Sequence, residues 1–311
     1  MRIYKLYGLA FRSEIRLPTN STARHWDIEL LWGMERSIPA SLPEGRLIAS
    51  LEQGAIYSCV ELDNAYVIRY PQICEFHVSR DLRRVVVDRA SGQDALVELL
   101  AEASLPALLL GLMGEFCLHA SSVGLDGTGV AFVGQAGTGK STLAALTCLE
   151  GAQLIGDDLL RLGDGPDALF CYPGGNEVRI RAASPFAEYV KLRREGRVTA
   201  DDRLGLPFES SVNAVPFGLM IVPTIETSVD EPTVKKLSGS SALRAAAVHA
   251  RVLGWHGSRS GSQFRMMVDI ARRVPVYQLA VPFRPDSWED LGRGLVDLLS
   301  GIMDDRTVAA F

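Results

Sequence analysis

Eight consecutive residues, Gly134-Gln135-Ala136-Gly137-Thr138-Gly139-Lys140-Ser141, match the pattern G-x-x-x-x-G-K-[ST] without a gap. Glycines at these spacings leave the main chain bare, so successive N–H groups can turn toward one point and cradle a phosphate chain. A lysine at the seventh place reaches the β- and γ-phosphates, and a serine hydroxyl at the eighth holds Mg²⁺. The bare pattern arises by chance in roughly one chain in a hundred of this size, so its setting decides. Before it stands the apolar run Gly129-Val130-Ala131-Phe132-Val133, which reads as a buried strand. After it, Thr142-Leu143-Ala144-Ala145-Leu146 consists largely of good helix formers. Strand, glycine loop and helix in that order predict a site for MgATP on Gly134, Gly137, Thr138, Gly139, Lys140, Ser141 and Thr142.

A phosphate loop does not say what becomes of the nucleotide. The short apolar run Ala152-Gln153-Leu154-Ile155-Gly156 delivers two adjacent carboxylates, Asp157 and Asp158, soon after the loop. Phosphoryl transfer needs one acidic group on Mg²⁺ and another group that orients the acceptor hydroxyl or takes its proton. Two carboxylates at a strand's end can divide those tasks. We assign Asp157 to the metal and Asp158 to the base, and the sequence allows the two to be exchanged. Further on, Glu177-Val178-Arg179-Ile180-Arg181 alternates as a strand does, which sets Glu177, Arg179 and Arg181 on one face.

Three of these segments, Leu118-His119-Ala120-Ser121-Ser122-Val123, the loop at 134–141 and Leu154-Ile155-Gly156-Asp157-Asp158, stand in the order and spacing found in HPr-kinase-like proteins. The chain resembles that family most over about 117–182. The resemblance implies a bacterial serine kinase with a core of the phosphoenolpyruvate-carboxykinase type, using ATP and Mg²⁺. It implies a role for His119 beside the acidic pair, a metal-binding role for Glu177 and phosphate-facing roles for Arg179 and Arg181. The glycines of the family's Glu-x-Arg-Gly-x-Gly stretch are absent here, which argues against HPr as the substrate and against the reverse phosphorylase activity. Tyr4-Lys5-Leu6-Tyr7-Gly8-Leu9 with Ser13-Glu14-Ile15 resembles a divergent branch found beside lasso-peptide genes. That likeness implies a peptide or protein acceptor bearing a serine, such as the C-terminal serine of a precursor peptide, and it leaves homo-oligomerisation open. A small-metabolite kinase on the same core and a module that senses ATP without transferring phosphate are the rival readings.

The elements that must position these groups can be read from the rest of the chain. Its 311 residues are 47% hydrophobic, enough for a full core. Residues 1 to about 90 hold short runs of β-branched and aromatic residues at Ile3–Tyr7, Trp26–Trp32, Ala55–Leu62, Ala65–Tyr70, Glu75–Ser79 and Arg84–Asp88. Two helices are predicted over Gln93–Ser104 and Leu105–Glu115. From Leu118 strands alternate with helices, and Leu118–Leu125 is predicted as one strand. Ser184–Glu195 reads as a helix with a serine cap, and Arg193–Pro207 as a solvated loop. The expectation is an α/β protein with a β-rich part over 1–115 and a P-loop kinase core of HPr-kinase type over 116–311.

A net charge of −5 without a basic stripe argues against a nucleic-acid partner. The longest apolar stretch, Leu105–Met113, is too short to span a bilayer, so no membrane partner is expected. Five cysteines without metal spacing are read as reduced thiols, and an N-terminus without a leader pattern completes the expectation of a cytoplasmic protein. His25, His77, His249 and His256 lack zinc spacing, and Trp255, His256 and Arg259 are read as loop packing rather than as peptide contacts.

Overall fold

The computed structural model describes residues 1–19, 22–51, 57–251, 258–282 and 287–309. Alternating residues over 2–89 produce eight strands: β1 (Arg2–Leu6), β2 (Leu9–Ser13), β3 (Ile28–Glu35), β4 (Arg46–Leu51), β5 (Tyr57–Glu61), β6 (Ala65–Tyr70), β7 (Cys74–Ser79) and β8 (Arg84–Arg89). They form one sheet in the order β1-β2-β3-β8-β7-β6-β5-β4. Two helices, α1 (Asp94–Glu102) and α2 (Ser104–Met113), follow, and their Val97, Leu105 and Leu109 share a core with Phe11, Ile68 and Phe76. The pair is apolar but bent by 42°, and among the described residues no single helix is long and apolar enough to cross a membrane. Two of the eight strands, β2 and β4, had no counterpart in the sequence-based expectation.

The remaining elements are β9 (Phe116–Leu118), β10 (Ala120–Leu125), β11 (Thr128–Val133), α3 (Lys140–Leu149), β12 (Gln153–Gly156), β13 (Leu160–Asp164), β14 (Leu169–Tyr172), β15 (Glu177–Arg181), α4 (Pro185–Lys191), β16 (Arg197–Val198), β17 (Arg203–Pro207), β18 (Val215–Glu226), β19 (Thr233–Leu237), α5 (Ser240–Val248), α6 (Ser258–Arg273), β20 (Val276–Pro282) and α7 (Trp288–Ala309). Nine of these strands make a mixed sheet, in which β18 pairs in parallel with both β11 and β20. Its strands bury both faces. Val130, Phe132, Leu219 and Ile221 pack with Leu143 and Leu146 of α3 and Leu295 of α7 on one side. The intervening Ala131, Val133, Met220 and Val276 pack with Ala246 of α5 and Ile270 of α6 on the other. The protein is thus mixed α/β with large sheets.

Two local expectations need correction. Leu118–Leu125 is not one strand. β9 pairs with β13 whereas β10 pairs with β11 and β12, so the chain changes partners and breaks at His119. Arg193–Pro207 is not simply a solvated loop, because β16 and β17 extend β15 into a three-stranded sheet. There Leu204 and Leu206 alternate into the core, separated by Gly205, which gives the strand no outward side chain to mark the period of two. The serine cap of α4 is present, with Ser184 Oγ accepting from Ala187 N at 3.2 Å, but the helix ends at Lys191.

The β1–β2 turn reaches the second sheet. Tyr7 N–H donates to Pro173 O at 2.5 Å, and Arg161 Nη1 donates to Tyr7 O at 2.7 Å. The Tyr7 ring is fully buried over Gly174, where a Cβ would collide with it. Tyr7→Ala is expected to leave a cavity at this junction and to lower stability by about 3–5 kcal/mol, read as a fall in the urea midpoint. An unchanged midpoint would show that the turn contributes no packing.

Candidate active site

β11 ends at Val133 and α3 begins at Lys140, so the glycine loop spans the gap between a central strand and a helix N-terminus. Gly137 and Gly139 adopt φ of 89° and 87°, a region that L side chains avoid. Gly134 is needed for another reason: a Cβ there would lie 2.5 Å from Thr138 Oγ1, which donates to Gln135 O at 2.9 Å. Lys140 is buried, and its ammonium donates to the loop carbonyls of Gly134 (2.9 Å) and Gln135 (3.0 Å). Burial holds its pKa below the usual lysine value. Thr142 follows in the first turn of α3. Arg181 is exposed, and its Nη2 lies 3.8 Å from where a Gly137 Cβ would stand. The loop, Lys140 and Arg181 therefore converge.

β12 carries the acidic pair to the same place. Asp157 Oδ1 accepts from Ser141 Oγ at 2.9 Å and from Ser121 Oγ at 2.5 Å, and Asp157 Oδ2 accepts from the main-chain N–H of Arg179 at 2.9 Å. The carboxylate is 8% exposed and has no salt-bridge partner among the described residues. Burial, followed by the charge of Asp158, pushes its pKa up. Asp158 takes a left-handed φ of 66°, which Asp tolerates better than most residues. That turn swings its carboxylate to Arg179 Nη2 at 2.7 Å. Burial alone would raise the Asp158 pKa, but Arg179, then His119 and Arg203, outweigh it and hold the carboxyl below its ordinary value.

Arg179 is the hinge of the cluster. Its main chain holds Asp157, one guanidinium nitrogen holds Asp158, and the other reaches Asp201 at 3.3 Å. It is buried, so it organises the acids, whereas the exposed Arg181 two residues on faces the loop. Glu177, on the same face of β15, is 6% exposed. Its Oε2 is held by Arg197 Nη2 at 2.8 Å, and its Oε1 is buried without a hydrogen-bond partner. Gly205 lies beneath it, where any Cβ would meet that oxygen. His119 sits at the break between β9 and β10, with Nδ1 3.0 Å from the carbonyl of Asp158 and 3.0 Å from Arg251 Nη2. Burial, then Arg251, depresses the His119 pKa.

Ser141, Asp157, Asp158, Arg179 and His119 thus fall into one neighbourhood. The Ser141 hydroxyl against the unpaired buried Asp157 carboxylate suits a hard divalent cation, which binds few protein oxygens beside phosphate oxygens. Glu177 faces Gly205 and Arg197, and among the described residues no three His, Cys, Asp or Glu side chains form a metal cluster. Asp201, Arg203, Arg251 and Glu102 also belong to the site, and none of them carries a sequence motif. Ser121 stands in the Leu118–Val123 segment without an assigned role, and its place opposite Phe132 in the β10–β11 pair puts it on Asp157. Trp255 and His256 lie outside the described residues, as does the side chain of Arg259.

No family model matches this chain, and no curated protein matches it. Among solved structures, the HPr(Ser) kinase/phosphatase from Coxiella burnetii is similar at 18% identity and a TM-score of 0.29, over 57% of this chain and 93% of that one. The family itself stays a resemblance drawn from the motifs.

Glu102, at the end of α1, is buried behind this cluster. Burial raises its pKa to about 8, and Glu177 adds to the rise while Arg179 opposes it. The folded chain therefore keeps a proton that the unfolded chain releases near 4.5. The stabilisation is full below that value and is lost as pH climbs through about 8. Metal-free protein is expected to lose stability between pH 5 and 8, and Glu102→Gln to flatten that slope in urea titrations. Equal slopes in both proteins would remove the assignment.

Proposed function

We propose that the protein is an ATP-dependent phosphotransferase that places the γ-phosphoryl group on a hydroxyl, with serine of a peptide or protein as the acceptor. The observation that carries the reading is the 2.9 Å contact between Ser141 Oγ and Asp157 Oδ1, which joins the phosphate loop to the acidic pair. The serine acceptor, including a lasso-peptide precursor's terminal serine, rests on the motif resemblance.

The loop amides and the N-terminus of α3 bind the triphosphate, with Lys140 and Arg181 countering its charge. Ser141 and Asp157 would hold Mg²⁺, which neutralises phosphate charge when bound. Asp158 receives the acceptor hydroxyl as a hydrogen-bond donor. The acceptor oxygen forms a bond to the γ-phosphorus, the bond to the β–γ bridging oxygen breaks, and ADP leaves with that electron pair. The hydroxyl proton passes to an Asp158 carboxylate oxygen. The low Asp158 pKa suits a loose transition state, in which the proton moves late and the carboxylate's main task is to orient the attacking oxygen. Arg179 keeps Asp158 ionised and fixes its distance from Asp157. His119 braces the same turn through the Asp158 carbonyl.

Removing a general base costs about 10²- to 10⁴-fold. Asp158→Asn is expected to lower kcat for transfer by that factor while leaving ATP affinity within about threefold. Lys140→Ala is expected to weaken ATP binding and transfer together. Radiolabelled ATP with a panel of serine peptides and small alcohols reads both effects, and full transfer by Asp158→Asn would end the base assignment. Intact ATP with every acceptor would favour a nucleotide sensor.

A further inference from the structure

We infer that Arg251 is the docking point for an anionic group carried by the phosphate acceptor. The inference rests on the phosphotransferase reading and adds the acceptor's chemistry to it.

The main chain around Arg251 is fixed. His119 N–H donates to His249 O at 2.8 Å, Arg251 N–H donates to Cys117 O at 2.8 Å, and Leu118 bridges Ala250. Residues 249–251 are thereby stitched to β9, so the side chain of Arg251 extends from a rigid base. Three other arginines near the acidic pair already hold carboxylates, Arg179 on Asp158 and Asp201, Arg197 on Glu177 and Arg203 on Asp201, while Arg181 faces the glycine loop. Arg251 forms no carboxylate pair among the described residues, and its side-chain hydrogen bond there is to His119 Nδ1.

That contact is a compromise. The Nδ1 atom of His119 lies within reach of both the Asp158 carbonyl and Arg251. With a proton, Nδ1 satisfies the carbonyl and presents N–H to Arg251. Without one, it accepts from Arg251 and turns a lone pair to the carbonyl. A neutral imidazole cannot serve both. An anion arriving at Arg251 resolves the conflict: the guanidinium takes the anion, and His119 donates to Asp158 O.

Lys140 and Arg181 face the glycine loop, while the Arg251 guanidinium meets the turn of Asp158 through His119 and its charge acts on both Asp158 and Lys140. It thus stands between the phosphate loop and the carboxylate that receives the hydroxyl. Beyond it lie Tyr57 and Tyr70 of the first sheet, whose phenols the Arg251 charge acts on. A guanidinium fork suits a carboxylate or phosphate. The acceptor class is therefore an alcohol with such a group near its hydroxyl. A peptide ending in serine and a free hydroxy acid share that chemistry.

The test is calorimetric binding to the full chain loaded with Mg²⁺ and a non-hydrolysable ATP analogue. The probes are serine-ended peptide as free acid and as amide, glycerate, glycerol 3-phosphate and glycerol. At least one anionic probe is expected to bind about 10- to 100-fold more tightly than its neutral partner. Arg251→Gln is expected to abolish that preference and Arg251→Lys to restore part of it, with the affinity for a fluorescent ATP analogue unchanged within about threefold. Preference confined to the peptide pair assigns a chain terminus, and preference confined to the small acids assigns a metabolite. No preference in the wild type, no binding by any anionic probe, or a preference that survives in Arg251→Gln overturns the inference. A phosphate-clamping role is told apart by weakened nucleotide binding in Arg251→Gln, which also overturns it. Failure of the wild type to bind the fluorescent nucleotide removes the phosphotransferase reading, and this inference with it.

Discussion

A carboxylate taken out of water costs several kcal/mol unless something answers its charge. Asp157 is such a group. Its three hydrogen bonds come from two serine hydroxyls and one main-chain N–H, all neutral, and no basic side chain touches it among the described residues. Each donor comes from a different element: Ser121 from β10, Ser141 from α3 and Arg179 from β15. The acid thus ties together the sheet, the phosphate-loop helix and the strand with the arginines. It is held in place and left in need of a positive charge, which is the condition a metal–nucleotide complex meets.

Next to it, Asp158 has the opposite setting. Its left-handed backbone points the carboxylate at a buried arginine, and the two neighbouring acids are driven apart in acidity by burial on one side and by Arg179 on the other. Two titratable groups with diverging environments are suited to different tasks. The first sheet contributes from behind: Tyr7 wedges against Gly174, and Glu102 closes the back of the cluster. Replacing polar solvent there with packed side chains strengthens every electrostatic term in the site.

The parts of this site that were legible in the sequence were the local ones. A glycine loop has a fixed spacing because its φ angles and its lysine reach are fixed, and it was found where the residues placed it. The alternation from Glu177 to Arg181 correctly gave a strand with three charged groups on one face. What stayed hidden depends on pairing between distant segments. The break at His119 follows from β9 and β10 choosing different neighbours. Ser121 gains its role from a register, and Arg251 from the stitching of 249–251 to β9. The β16–β17 hairpin escaped because its charges, which hold Glu177 and Asp201, read as solvated polarity.

The central claim is that Asp157 anchors the cation of a bound nucleotide. Electron paramagnetic resonance of Mn²⁺, titrated into the protein in the presence of ADP, tests it directly, with Asp157→Asn as the comparison. The wild type should hold Mn²⁺ in a ternary complex, and Asp157→Asn should lose that signal while remaining folded, since the change removes a buried charge. Equal Mn²⁺ retention in both proteins would contradict the account.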